Sequence, residues 1–331
     1  MRTKITRREL ARNAGLTSGL AALGLLPKSA NAEAGYPNRD VRIIVAQAPG
    51  SAVDISARLL ASSLSELLKR QFYVEDKPGA GQNIGTEIAL HAPRDGYTLL
   101  QATAANTTNA SLYENLTFNF VKDIAPIGGM VQIPNVMIIS PSLPVSSVAD
   151  FITYAKSRPG KLNMASSGNG TTPHLAGELF KKMAGIEMTN IPYRGSTPAL
   201  TDIIAGRVDV MFDVLGPSVG QIKDGAVRAL AITTKKRSNV LPNLPCISDT
   251  LPDYEVSSWN GLVAPAGTPE DIIKILASAL ERSLDNPTLL AKLADFGGTP
   301  LRMGPQAFAE FIRSETDKWG KVIKDANIKP D

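Results

Sequence analysis

Between residues 41 and 102 the chain alternates short apolar, β-branched runs with longer stretches of helical period. Val41-Arg42-Ile43-Ile44-Val45-Ala46 reads as a buried strand. After Pro49-Gly50-Ser51, apolar residues recur at Val53, Ala57, Leu60, Ala61, Leu64, Leu67 and Leu68, the spacing of one helix face. Phe72–Glu75 and Tyr97–Ala102 read as further strands, and residues 83–91 as a helix between them. Pro93-Arg94-Asp95-Gly96 is turn chemistry. Strands alternating with helices of this length predict an α/β fold with parallel, doubly wound sheets.

The pattern breaks at residues 103–119, which are rich in Thr, Asn and Ser. Strands are expected around Ile127–Met130 and Val136–Ile139. A second alternation follows: helices over 148–157, 173–183 and 198–205, and strands over 162–165, 189–191 and 210–212. Residues 227–232 read as a strand returning to the first lobe, and Gly261–Ala264 as another strand. Thr268 is expected to N-cap a helix opened by Pro269. The last helix carries one stripe of Phe308, Phe311, Ile312, Trp319, Val322 and Ile323, expected to face the core. The expectation is two lobes, residues 33–103 with 229–331 and residues 104–228, joined by two crossings near 103 and 229 that hinge around a ligand.

Residues 1–32 stand apart. Arg2, Lys4, Arg7, Arg8 and Arg12 precede an apolar span from Ala14 to Leu26 and a small-residue site at Ala30-Asn31-Ala32. This is the layout of a cleaved export signal, and Thr6-Arg7-Arg8-Glu9-Leu10 resembles a twin-arginine motif. The span is too short for a membrane helix. Its removal takes six cations and one anion from the totals of 35 and 31, leaving 29 Lys+Arg against 30 Asp+Glu. The net charge of +4 therefore belongs largely to the signal and gives no support for nucleic-acid binding. The only cysteine, Cys246, can form no internal disulfide and is no lipid anchor at the new N-terminus. A free, monomeric periplasmic protein is expected.

Three stretches share one device: a strand end, a small-residue bend and a helix start, which aims unpaired backbone N–H groups at a point. They are Gly50 and Ser51 with Val53 and Asp54; Ser166, Ser167 and Gly168 with Thr171, Thr172 and His174; and Tyr193, Arg194, Gly195 and Ser196. Asp213 ends a strand where open α/β sheets present residues to ligands. Together these are the candidate ligand-binding residues. Ser167 and His174 also admit a nucleophile and its base, but no G-x-S-x-G elbow surrounds the serine. Two histidines and one cysteine make no zinc set, and no EF-hand spacing is present. Gly79-Ala80-Gly81-Gln82-Asn83-Ile84-Gly85 has the wrong glycine spacing for a dinucleotide loop and no acidic residue about 20 positions on. No cofactor is expected.

Pro49–Asp54, Lys77–Gly85, Asp95–Leu100, Ser167–Phe180, Pro192–Ser196, Ala205–Asp213 and Ala264–Pro269, in this order, resemble the Bug-type solute receptors of tripartite tricarboxylate transporters. The resemblance covers nearly all of the chain after residue 32. It implies a two-lobed, Venus-flytrap periplasmic binding fold without catalysis. It also implies a small organic carboxylate, dicarboxylate or aromatic or aliphatic acid, held by loop amides matching Gly50, Ser51 and Ser166–Thr172. Positions matching Asp54, His174, Arg194–Ser196 and Asp213 would surround the cleft. The partners implied are membrane transporter subunits; a membrane sensor domain would read the same closure. Here Ser51 replaces the usual second Gly of the first bend, and Val53 stands where a hydroxyl residue is common, which tilts the expected ligand toward a less polar acid. An exported serine hydrolase using Ser167 and His174 is the alternative of another class.

Overall fold

The computed structural model describes residues 35–193, 195–295 and 297–330. The expected export signal over residues 1–32, and Arg194, lie outside them. The chain forms β1 (Val41–Val45), α1 (Ala52–Leu68), β2 (Phe72–Asp76), α2 (Asn83–Leu90), β3 (Thr98–Thr103) and α3 (Ala104–Leu112). The long strand β4 (Ile124–Ile139) follows, then α4 (Val148–Lys156), β5 (Leu162–Ser166), α5 (Thr172–Ala184), β6 (Met188–Pro192) and α6 (Ser196–Ile204). Next come β7 (Val210–Val214), α7 (Leu215–Lys223), β8 (Arg228–Ile232) and β9 (Ser257–Pro265). The chain closes with α8 (Glu270–Ser283), α9 (Pro287–Asp295), β10 (Thr299–Pro300) and α10 (Pro305–Asp325).

The strands run in the order β2-β1-β3-β9-β4-β7-β5-β6, with β8 and β10 also on β4. β1 lies parallel between β2 and β3, and β9 is antiparallel to both β3 and β4. β4 serves two sheets. Ile124–Pro134 pairs with β9, whereas Asn135–Ile139 pairs with β7 and Val136–Ile139 with β8. β5 is parallel to β6 and β7. Strand pairing therefore divides the chain elsewhere than the expected crossings near 103 and 229. The first passage falls at Pro134/Asn135, inside an unbroken strand. β8, expected to return to the first lobe, pairs in the second sheet, and the return runs from Thr233 to Val256.

Two differences from the sequence pattern have local causes. Residues 104–112 are helical although their composition reads as loop, because the polar face of α3 is buried against α2 and the 79–82 bend. Asn106 Nδ2 donates to Thr86 Oγ1 at 2.7 Å, and Asn109 Nδ2 to Asn83 Oδ1 at 2.8 Å and the Gly81 carbonyl at 2.7 Å. A helix that buries amides and hydroxyls shows no apolar period. Thr268 does not cap α8. Its hydroxyl donates to the Pro265 carbonyl at 2.8 Å, and the extended Pro269 (ψ 138°) precedes the helix.

The stripe on α10 is buried, but it is divided. Phe308 and Ile312 share a core with Trp259, Val263 and Leu100 of the first sheet, while Trp319, Val322 and Ile323 share one with Phe212 of the second sheet, Phe151 of α4 and Phe180 of α5. One helix of 21 residues, about 30 Å long at 1.5 Å per residue, thus contributes to both cores. Among the described residues no helix is long and apolar enough to cross a membrane.

Candidate functional site

The register fixes where the bends lie. Thr103 at the end of β3 is level with Asn260, and Asn260 with Val131, so β4 leaves the first sheet at the edge where β1 and β3 end. In the second sheet Asn135 pairs with Val214, the last residue of β7, and β5 and β6 run parallel to β7. The C-terminal edges of the parallel strands in both sheets therefore face each other across Pro134/Asn135. Helices α1 and α3 start on one edge, and α5, α6 and α7 on the other. Their N-terminal amides and dipoles converge on that space, an arrangement suited to an anion.

The first bend is built differently from the expectation. Gly50, at φ +79° with open space where a Cβ would sit, does turn the chain. Its N–H is taken up by the Asp54 carboxylate at 2.7 Å, and the Ser51 N–H bonds the Ala48 carbonyl at 3.2 Å. Ser51 Oγ in turn accepts the Asp54 N–H at 3.1 Å. Asp54 is buried and contacts Arg58 Nε at 2.6 Å, and Arg58 also pairs with Asp76 at 2.7 Å. Burial and the nearby Asp54 charge push the Asp76 carboxyl up, against the pull of Arg58. Gly50, Ser51 and Asp54 thus hold one another. The first-turn amides without an intrahelical acceptor are those of Ala52 and Val53, so Val53, whose side chain has no donor, offers its main-chain N–H.

The second bend, 166–172, follows β5. Thr171 Oγ1 donates to the Gly168 carbonyl at 2.7 Å, and Ser167 Oγ lies 3.3 Å from Thr171 Oγ1. Gly170 N–H donates to His174 Nδ1 at 3.1 Å, so the ring proton sits on Nε2, 3.6 Å from Glu178 Oε1. Glu178 is also bound by Lys181 at 2.8 Å. Burial pulls the Glu178 carboxyl up, but the hydrogen bonds of His174 and Lys181 and the Lys181 charge outweigh it and hold it below the usual range. Both imidazole nitrogens are engaged and neither meets Ser167, so the nucleophile–base pair does not form. The Ser166 hydroxyl is fully buried with no partner among the described residues. Thr172 and His174 carry the orphan first-turn amides of α5, since Pro173 has none.

The third bend is tied to the second: Tyr193 N–H donates to the Ser166 carbonyl at 2.8 Å, and Asn190 Nδ2 to Asn169 Oδ1 at 3.2 Å. Tyr193 spends its hydroxyl on Asp202 at 2.7 Å; burial, then that bond, push it up to about 12. Gly195, at φ +108°, has open space at the Cβ position and precedes α6. Ser196 Oγ donates to Asp213 Oδ1 at 2.5 Å, and Ser218 Oγ to Asp213 Oδ2 at 2.8 Å. Asp213 is completely buried, which pushes its carboxyl up against the opposing pull of the two serines.

Sequence reasoning missed the tie at the crossing. Asn135 and Thr233 are fully buried. Thr233 Oγ1 accepts the Asn135 N–H at 2.8 Å and lies 2.7 Å from the Val256 carbonyl and 2.9 Å from the Asn135 carbonyl. One hydroxyl thus ties the end of β8 and the start of β9 to the middle of β4. Neither residue belongs to a motif or a periodic stretch, so no local signal marks them. Ser218 escaped notice because α7 itself was not anticipated. Among the described residues no group of three or more His, Cys, Asp and Glu is placed to hold a metal.

Two α/β sheets, a double passage between them, and helix N-termini facing one another define a two-lobed solute-binding receptor of the periplasmic type. The chain belongs to the tripartite tricarboxylate transporter family of receptors, whose family model matches residues 56–328. It is 32% identical over 316 residues to protein BugT of Bordetella pertussis, covering 95% of each chain. It is 32% identical over 322 residues to a protein of the tcbD–tcbE intergenic region of Pseudomonas sp. strain P51, covering 96% of each. Among solved structures it is similar to Rpa4515 of R. palustris with adipate (36% identity, TM-score 0.77, 89% of this chain and 100% of that one). It is also similar to MatC of Rhodopseudomonas palustris with bound malate (29% identity, TM-score 0.73, 87% and 100%). These matches leave no support for the hydrolase alternative.

Proposed function

We propose that this receptor captures a small organic carboxylate in the space between the two sheet edges and delivers it to a tripartite membrane transporter. The observation that carries the reading is the convergence of the α1, α3, α5, α6 and α7 N-termini on one space. A carboxylate there would be held by charge-assisted bonds from main-chain N–H groups. The groups proposed to reach it are the amides of Ala52, Val53, Thr172 and His174 and the bend at Gly195-Ser196. Gly50, Ser51, Asp54 and Asp213 hold those groups in place. The bound adipate and malate of the two similar structures favour the same ligand class. The lobes would be residues 37–134 with 257–330 and residues 135–232, closing about the passages at 134/135 and 233–256. An export signal over residues 1–32 and a monomeric state complete the proposal.

The test is a thermal-shift titration with C4–C6 dicarboxylates, aromatic acids and amino acids. Ligand at about 1,000 times its Kd stabilises by about 4 kcal/mol, so a micromolar binder raises Tm clearly at millimolar dose. A panel in which no carboxylate moves Tm, or only amino acids do, refutes the reading.

A further inference from the structure

Asp213 poses a chemical question that its place in the fold makes specific. It is the penultimate residue of β7, wholly buried between the starts of α6 and α7. Both of its carboxylate oxygens are occupied by hydroxyl protons: Ser196 Oγ at 2.5 Å and Ser218 Oγ at 2.8 Å. An ionised carboxylate can only accept hydrogen bonds, and each serine has one proton to give. Both protons therefore point inward.

The consequence falls on Ser196. Ser218 is fully buried, whereas Ser196 is half-buried at the start of α6, beside Gly195, where nothing lies within 4 Å of the Cβ position. With its proton spent, Ser196 Oγ offers that space lone pairs only. A buried carboxyl whose two oxygens accept from Ser196 and Ser218 stands directly behind it. The surrounding helix starts present N–H donors; Ser196 Oγ presents an acceptor. A ligand gripped by its carboxylate finds a complementary partner here for a hydroxyl, and an unfavourable one for a second ionised carboxylate.

We infer that Asp213 is a positioning residue that fixes Ser196 as a hydrogen-bond acceptor, and that the receptor thereby favours hydroxy acids over the corresponding acids without the hydroxyl. The inference rests on the proposed carboxylate site and adds the chemical class of its ligand. Replacing Asp213 by Asn gives the position an amide that can donate to a serine oxygen, so the Ser196 proton is freed to turn outward and the preference is lost.

The experiment is calorimetric titration of the full mature chain with matched pairs, malate against succinate and 2-hydroxyadipate against adipate. The wild type is expected to bind the hydroxylated member about tenfold tighter, the worth of one well-placed hydrogen bond to a charge-coupled group. Asp213→Asn and Ser196→Ala are each expected to bring the ratio close to one, whereas Ser196→Thr, which keeps the hydroxyl, retains it. A merely structural loss would weaken both members of a pair equally and leave the ratio alone. A ratio near one in the wild type, or an unchanged ratio in Ser196→Ala, overturns the inference while the carboxylate reading stands. Failure of every acid to bind the wild type overturns both. Ser196→Ala keeps the test decisive if Asp213→Asn does not fold.

Discussion

Thr233→Val is the sharpest probe of the passage between the sheets, because it keeps the shape and removes one hydroxyl. Thr233 and Asn135 have no exposed surface, so water cannot replace what is lost. The Asn135 N–H, now 2.8 Å from Oγ1, becomes a buried donor without an acceptor, at a cost of about 1–3 kcal/mol. The Val256 carbonyl, 2.7 Å from the same oxygen, loses a donor worth about 1 kcal/mol. The bonds from Thr233 N–H to the Asn135 carbonyl and from Val256 N–H to the Thr233 carbonyl survive the change. The sum is a loss of about 2–4 kcal/mol. With a urea m-value of about 3 kcal/mol/M for a chain of this size, the midpoint falls by roughly 1 M without a change in slope. Thr233→Ser, which restores the hydroxyl, should stay within about 1 kcal/mol of the wild type. If Thr233→Val unfolds within about 0.5 kcal/mol of the wild type, the hydroxyl is no tie and the reasoning fails.

Gly50→Ala and Gly170→Ala separate backbone strain from crowding: both positions have positive φ (+79° and +71°), but only at Gly170 does an added Cβ fall 2.3 Å from a neighbour, Leu112 Cδ1. Gly50→Ala should cost about 1–2 kcal/mol and Gly170→Ala about 1–3 kcal/mol more in the same denaturation assay; equal losses would contradict the packing. The buried Asp213 has its pKa raised in the folded chain, so its contribution is most favourable below the unfolded value of 3.8 and is lost as pH rises through the folded one. The stability of the wild type relative to Asp213→Asn should therefore fall as pH rises from about 4, and a difference flat from pH 4 to 7 would count against a buried carboxyl.

Most strands and helices were legible because their residues obey a local period. β1 and α1 are read directly from Val41–Val45 and from the spacing of Val53, Ala57, Leu60 and Leu64, since each face meets one apolar core. The bends were legible too, because glycine adopts a positive φ at little cost and each bend carries one that does: Gly50, Gly168, Gly170 and Gly195. What each bend does with its amides was not. Asp54 lies four residues from Gly50 in sequence, yet nothing in the pattern reveals that its carboxylate turns back onto the Gly50 N–H. α3 was hidden because amides cover it, and its partners on α2 and the 79–82 bend lie 20 or more residues away.

The amino-acid order alone determines the αβ alternation, the sites of tight turning and the family to which the chain belongs, since these depend on short-range periodicity and on residue types at fixed spacing. Only the tertiary structure decides which sheet each strand joins. β4 runs as one unbroken strand through both sheets, and the passage at Pro134/Asn135 is set by partners 98 and 77 residues distant, Thr233 and Phe212. Hydrogen-bond partners chosen across such distances reflect the packing of whole layers, and that choice leaves no trace in the local pattern.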